Sequence, residues 1–305
     1  MSTNFQTAAA LLDGYRDALR GPPPELWPVG TGGLASVEIG PGRIVLLGGA
    51  PGAGKSSLVT QLTVDALRLT PELRALVVNV EMHPHALLDR QLARLSGVPL
   101  NIIAKRQLGP EHAERIERGL ATLGAIGDRL AFLVSPFGLE HVAKAADDFG
   151  AKLLLLDYIQ RIRPPGEHSD KRSSVNALLD YLRRFADAAG IGVLAVAAVG
   201  RTRDRRGRSS YMSAGLNLAS FRESSELEYS ADSAYLLLPT DPTDPGAVTL
   251  SCCKHRYGEL VDVRLRFDRA RQAFTPIDDG PTDGERPQIV QLRKLWASTP
   301  PSDSA

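Results

Sequence analysis

The chain has 305 residues, 43% of them hydrophobic, with 36 Lys and Arg against 35 Asp and Glu. This is enough chain and apolar content for one large α/β domain or two small ones with a sizeable core. The net charge of +1 excludes a globally basic nucleic-acid binder, so any such surface has to be local.

Residues 5–20 place Phe5, Leu11, Leu12, Tyr15 and Leu19 near helical spacing, which predicts an amphipathic helix. Gly21-Pro22-Pro23-Pro24 ends it, because proline has no N–H to donate and keeps its predecessor out of the helical region. Residues 1–30 are therefore expected to form an arm, either outside the main fold or folded back on it. Asp13, Arg16 and Asp17 interrupt the first apolar stretch and argue against a signal peptide. No window approaches the ~18 apolar residues of a membrane span. A cytoplasmic protein with no membrane contact is expected.

From Arg43 onward, short aliphatic runs alternate with helical segments. The runs are Ile44–Leu47, Leu76–Val80, Leu130–Val134, Leu153–Leu156 and Val193–Val196. Continuous apolar runs of this length fit strands buried on both faces of a parallel sheet. Helices are predicted at 54–68, 84–96, 111–125, 138–149 and 174–189, which makes βαβ units with right-handed crossovers. After residue 230 the pattern becomes strands with short links: Ser233–Leu238, Val248–Cys253 and Val261–Phe267. These are expected to extend the sheet in antiparallel fashion. The two cysteines, Cys252 and Cys253, are adjacent and lack metal-ligand spacing, so they read as reduced strand residues. Residues 279–305 are polar and proline-rich and read as a flexible tail, in which Ile289–Trp296 suits a short docking helix.

Gly49-Ala50-Pro51-Gly52-Ala53-Gly54-Lys55-Ser56 matches Gly-x-x-x-x-Gly-Lys-Ser/Thr in full, between a strand and a helix. Glycines at 49, 52 and 54 permit torsions and a close approach that a Cβ would block, so several N–H groups can point inward at a phosphate. The helix that follows adds its positive end. Lys55 supplies a mobile charge for the β- and γ-phosphates, and the Ser56 hydroxyl can ligate Mg²⁺. Asp157 closes the run Leu153–Leu156 at the carboxyl edge, where α/β sheets bind ligands, and can hold the Mg²⁺ shell. Glu81 closes the neighbouring strand and is the candidate base for water; its plain alternative is an acid complementing the next helix dipole. The residues alone imply an Mg²⁺-dependent nucleoside triphosphatase, with ATP the nucleotide expected.

Several motifs then occur in a recognisable order: the P-loop, Val80-Glu81-Met82, Leu156-Asp157-Tyr158-Ile159-Gln160, Phe221-Arg222-Glu223-Ser224 with Ala231-Asp232, and Lys254-His255-Arg256-Tyr257-Gly258. From about residue 40 to 277 the chain resembles the RecA-like motor domain of DnaB-type replicative helicases, with residues 31–278 as the motor. The resemblance implies a ring, usually hexameric, with nucleotide at each subunit interface. It implies Glu81 as catalytic glutamate and Lys55 as a phosphate contact, together with Ser57 in the nucleotide site and Arg90 near the base. Lys254 and Arg256 match a Lys-x-Arg pair that reaches the neighbouring subunit's site, with Arg256 as arginine finger. Arg222 and Glu223 match a turn that lines the channel and grips single-stranded DNA.

Arg201–Arg208 holds five arginines in eight residues, and Arg203, Arg205, Arg206 and Arg208 suit sequence-independent phosphate contacts. Arg161, Arg163, Lys171 and Arg172 make a second basic loop. In the Arg222-Glu223 turn, Ser225 stands where the family commonly has glycine. Three further departures stand out: Ala198 occupies the place of the family's glutamine, Thr31-Gly32-Gly33-Leu34 before the P-loop is only loosely family-like, and the family's N-terminal collar, which meets primase, is expected to be absent. A primase or loader contact is therefore not assigned. Besides the motor, the residues allow a RecA-core ATPase that binds DNA without unwinding it. A small-molecule kinase is disfavoured because nothing resembles a lid or an acceptor pocket.

Overall fold

The structure is a computed structural model; it describes residues 5–200, 202–203, 209–210, 220–221, 230–241 and 243–277. The aliphatic runs become β1 (Ile44–Gly49), β2 (Ala75–Asn79), β3 (Leu130–Phe132), β4 (Leu153–Asp157) and β5 (Gly192–Val196). All but β3 are buried along their whole length. Thr202–Arg203 (β6) and Ser209–Ser210 (β7) form a separate antiparallel pair. Ser233–Asp241 (β8), Asp244–His255 (β9), Val263–Asp268 (β10) and Ala273–Pro276 (β11) complete the main sheet. Its nine strands run in the order β11-β10-β9-β8-β1-β5-β4-β2-β3.

The pairs from β3 through β2, β4, β5 and β1 are parallel, as expected. The run at 233 differs from its reading: β8 joins β1 in parallel, and the antiparallel extension starts only at β9. The reason is positional. The chain is back at the amino edge of the sheet when it enters β8, so it runs alongside β1, and β9 then returns along β8 in the opposite direction.

Strand alternation splits the core into two faces. Val45, Leu47, Val77, Leu153, Leu155, Leu194 and Val196 face one way, packing with Leu58 and Leu62 of α2 (Lys55–Leu69) and Leu87 of α3 (Pro84–Ser96). Ile44, Leu46, Leu76, Val78, Leu154, Leu156, Val193 and Ala195 face the other way, toward α6 (Leu139–Phe149) and α7 (Lys171–Ala189). Helices therefore cover both faces. Two more, α4 (Leu100–Ala104) and α5 (Ala113–Gly124), pack with α3 around Ala93, Val98, Ile103 and Ile116.

The first helix, α1 (Ala8–Arg20), forms as expected, capped by the Thr7 side chain. Its apolar residues stay exposed, with Tyr15 at 58% and Leu19 at 67%. Trp27, Val29 and Leu34 are buried in the core, so the chain joins the main body by residue 27. Among the described residues no helix is long and apolar enough to cross a membrane. The tail from 278 on, including the helix expected at 289–296, lies outside the described residues.

Candidate active site

One register row at the carboxyl edge of the sheet builds the site. Asn79 lies opposite Asp157, Asp157 opposite Val196, and Val196 opposite Leu47. Leu47 and Val196 belong to the α2-facing core, so alternation aims Asn79 and Asp157 at the same side as the P-loop. Gly49 follows on β1 with φ +152°, where an added Cβ would meet the Leu237 carbonyl oxygen at 2.8 Å. Gly54, with φ +98°, opens α2, and a Cβ there would lie 2.8 Å from both Phe267 and Phe274. The loop conformation and its tight seating thus require glycine at both positions.

The cleft so formed has a volume of about 550 Å³. It is lined by Gly49, Pro51, Gly52, Gly54, Lys55 and Ser56 from the loop, and by Glu81, Asp157 and Ala198 from the strand ends. Ala50 and Ala53 complete the loop; Ala53 packs on the core, and the Ala50 carbonyl faces Lys55. Lys55 Nζ donates to the Gly49 and Ala50 carbonyls, each at 2.9 Å, so its charge is folded over the loop. Burial pulls the Lys55 ammonium down from its ordinary pKa, while the Asp157 and Glu81 carboxylates hold it up.

Burial pushes the Asp157 carboxyl up from its ordinary value. Ser56 beside it opposes that rise, Glu81 adds to it, and Lys55 and Asn79 pull it down. Ser56 and Asp157 therefore lie on the same cleft wall, where both would serve a divalent cation. A hydroxyl and a carboxylate, both oxygen donors, suit Mg²⁺ in its water shell. Glu81 is exposed at the cleft wall, and its backbone N–H donates to Asn79 Oδ1.

Ser57 is fully buried, and its hydroxyl is committed within the protein: it donates to Gln272 Oε1 at 2.6 Å and accepts from Arg90 at 3.2 Å. Burial lowers the Arg90 guanidinium pKa, and Asp157 opposes that. Arg90 also lines the cleft, as do Phe267, Arg269 and Gln272 from the β10–β11 hairpin. That hairpin is pinned to α2 by Gln61, whose amide bonds both the Phe274 N–H and its carbonyl. Phe267 and Phe274 stack at 4.1 Å under the loop, and Arg269 donates to the Gly52 carbonyl at 3.0 Å.

Sequence reasoning missed Asn79, Phe267, Arg269, Gln272 and Gln160 as site residues. Asn79 carried a signal, a polar residue at the end of an apolar strand. The hairpin residues carried none. Gln160 receives the Ala198 N–H on Oε1 at 3.1 Å, tying the two strand ends beside the cleft.

Lys254 and Arg256 lie elsewhere. Lys254 pairs with Ala234 at the start of β8. Arg256 Nη1 reaches Asp232 Oδ1 at 3.0 Å, and the same carboxylate takes Arg183 and the Ile44 N–H. Ile44 begins the strand whose far end carries Gly49, so five strand steps, roughly 17 Å, separate this pair from the loop of its own chain. Arg161 stacks over Tyr158 in the second basic loop, bonding its hydroxyl at 2.9 Å. Arg203 lies on β6, with only its backbone described. Arg205, Arg206, Arg208, Arg222 and Glu223 lie outside the described residues.

A glycine-rich loop entering a helix, on a mostly parallel sheet with an acid in the same register row two strands away, defines a P-loop nucleotide-binding domain. The family model of the DnaB-like helicase C terminal domain matches residues 34–276, and the chain belongs to that family. It is 24% identical over 252 residues to the replicative DNA helicase DnaB of Pasteurella multocida, covering 78% of this chain and 52% of that protein. It is 21% identical over 248 residues to a probable plasmid replicative DNA helicase of Chlamydia trachomatis, covering 79% and 52%. The chain thus spans about half the length of the curated relatives it matches. Its fold is similar to that of a DnaB-like replicative helicase solved in a study of its interactions with primase, with TM-score 0.73 and 18% identity over 88% of this chain and 68% of that one. It is equally similar to the ATPase domain of G40P, with TM-score 0.72 and 18% identity over 88% and 98%.

Proposed function

We propose that this chain is an ATP-driven motor that forms a ring, six subunits being the family's usual number, and acts on single-stranded DNA in the cytoplasm. One observation carries the reading: Lys55, Ser56, Asp157 and Glu81, from three separate segments, line a single cleft. The P-loop N–H groups and Lys55 hold the phosphates of ATP; Ser56 and Asp157 hold Mg²⁺, which supplies positive charge to the phosphate oxygens when bound. Glu81 orients the attacking water and takes its proton. Lys254 and Arg256 act on the neighbouring subunit's nucleotide, Arg256 meeting the charge that develops on the transferred phosphoryl group. Their place at the amino edge of the sheet, remote from the chain's own loop, supports action across an interface. Arg203, Arg205, Arg206 and Arg208, with Arg222 and Glu223, contact the DNA backbone. The hydrolysis step itself needs only residues of the described cleft and the arginine finger.

A second reading is favoured by Ala198, which lines the cleft where the family resemblance implies a glutamine. Without that side chain, hydrolysis and strand movement can be uncoupled, leaving a DNA-stimulated ATPase that does not unwind. A forked duplex with ATP separates the two readings. Strand displacement supports the motor, whereas stimulated hydrolysis with no displacement supports the ATPase alone.

A further inference from the structure

Two carboxylates have to be held in a fixed relation for the proposed hydrolysis: Asp157 on β4 and Glu81 beyond the end of β2. One buried amide touches the supports of both. Asn79 is 8% exposed and is the register partner of Asp157. Its Oδ1 accepts the backbone N–H of Glu81 at 3.0 Å and of Met82 at 2.7 Å. Its Nδ2 donates to Asp157 Oδ2 at 2.8 Å. The orientation of this amide is fixed by chemistry. The two backbone N–H groups can only donate, so oxygen must face them, and the nitrogen must then face the carboxylate.

Strand pairing does not need this side chain. The Val80 N–H already donates to the Asp157 carbonyl at 2.8 Å, carrying the β2–β4 ladder past Asn79. What Asn79 adds is a cross-link between the acid that serves Mg²⁺ and the backbone that carries the acid that serves water. An amide is suited to this. It donates to a carboxylate and accepts from two N–H groups at once, where a hydroxyl is too short to span both and a carboxylate would repel Asp157.

We propose that Asn79 is a positioning residue: it sets the place of Glu81 relative to the Asp157 carboxylate and acts on turnover through Glu81. This rests on the ATPase reading of the cleft. A shift of about 1 Å in a reacting group can cost on the order of a hundredfold in rate, so losing the cross-link has a measurable consequence.

The test uses the full chain as wild type, Asn79→Ala, Glu81→Gln and the double variant, with Asn79→Ser in place of alanine if that variant melts early. Single-turnover ATP hydrolysis is measured at saturating Mg²⁺, alongside binding of a fluorescent ATP analogue. Asn79→Ala is expected to slow hydrolysis by about 10- to 100-fold while analogue affinity stays within about threefold. In the Glu81→Gln background the same change is expected to cost less than about twofold, because two residues acting as one unit are non-additive. An undiminished loss on top of Glu81→Gln, or a loss of analogue binding that matches the loss of rate, overturns the role assigned to Asn79. A wild-type chain that hydrolyses no ATP overturns the reading of the cleft, and this role with it.

Discussion

Arg256 and Asp232 of the same chain are bonded at 3.0 Å, at the edge of the sheet away from the P-loop. A side chain held there cannot serve its own nucleotide. Arg256→Ala is therefore expected to lower turnover by roughly three orders of magnitude in a homogeneous preparation. Mixing with Lys55→Ala subunits is expected to restore part of the rate, since each variant supplies the group the other lacks. ATPase assays over a series of mixing ratios check this; no recovery at any ratio would show that Arg256 does not act in trans.

Lys55 and Glu81 line one cleft, and the proposed function gives them different steps. Lys55→Ala is expected to weaken nucleotide binding and abolish turnover together, because its charge meets the phosphates in ground and transition states alike. Glu81→Gln keeps the side-chain shape and removes the base, so binding is expected within about threefold of wild type while the rate falls by about 10²- to 10⁴-fold. Equilibrium binding alongside single-turnover rates separates the two, and retained activity in Glu81→Gln would remove Glu81 from the role of base.

Burial raises the Asp157 pKa in the folded chain, and the sign of the stability effect follows. The folded state holds that proton more tightly than the unfolded state does. The contribution to stability is therefore complete below the unfolded value and is lost as pH rises through the folded one. At neutral pH the ionised carboxylate costs stability in the nucleotide-free protein. Asp157→Asn is expected to raise its melting temperature at pH 7, with the gap closing as pH falls into the carboxylate range, while Mg²⁺-dependent hydrolysis is lost. Thermal melts across pH without nucleotide test it; a lower melting temperature at pH 7 would contradict it.

The basic loop is predicted to act through charge alone. Replacing Arg203, Arg205, Arg206 and Arg208 together by alanine is expected to weaken single-strand binding and flatten its salt dependence, by about 0.7 in logarithmic slope for each lost phosphate contact. ATP hydrolysis without DNA should stay near wild type. An unchanged salt slope would place the DNA path elsewhere.

Much of the fold and half of the site were legible in the sequence, for local reasons. Leu153–Leu156 is apolar at every position, so it announces a strand buried on both faces, and Asp157 then has to emerge at its end. The P-loop is a contiguous pattern whose glycines are demanded by the backbone. Gln272 and Arg269 left no such trace. Their place in the cleft comes from a hairpin that meets α2 across 215 residues of chain, in the case of Gln272 and Ser57. The parallel pairing of β8 was likewise invisible, because direction depends on which edge the chain re-enters. Five-residue α4 and four-residue β11 are too short for a period to appear. Asn79 lay between, a polar residue in an apolar strand whose meaning appears only once β4 is set beside it.

Hydrolysis by an assembled ring on a single strand is open to one paired measurement. ATPase rate and mass distribution are recorded on the same sample, with and without a single-stranded oligonucleotide. Oligomers are expected to form with nucleotide, and the rate is expected to rise when the strand is present. A chain that stays monomeric with nucleotide, and whose rate ignores the oligonucleotide, would contradict both expectations.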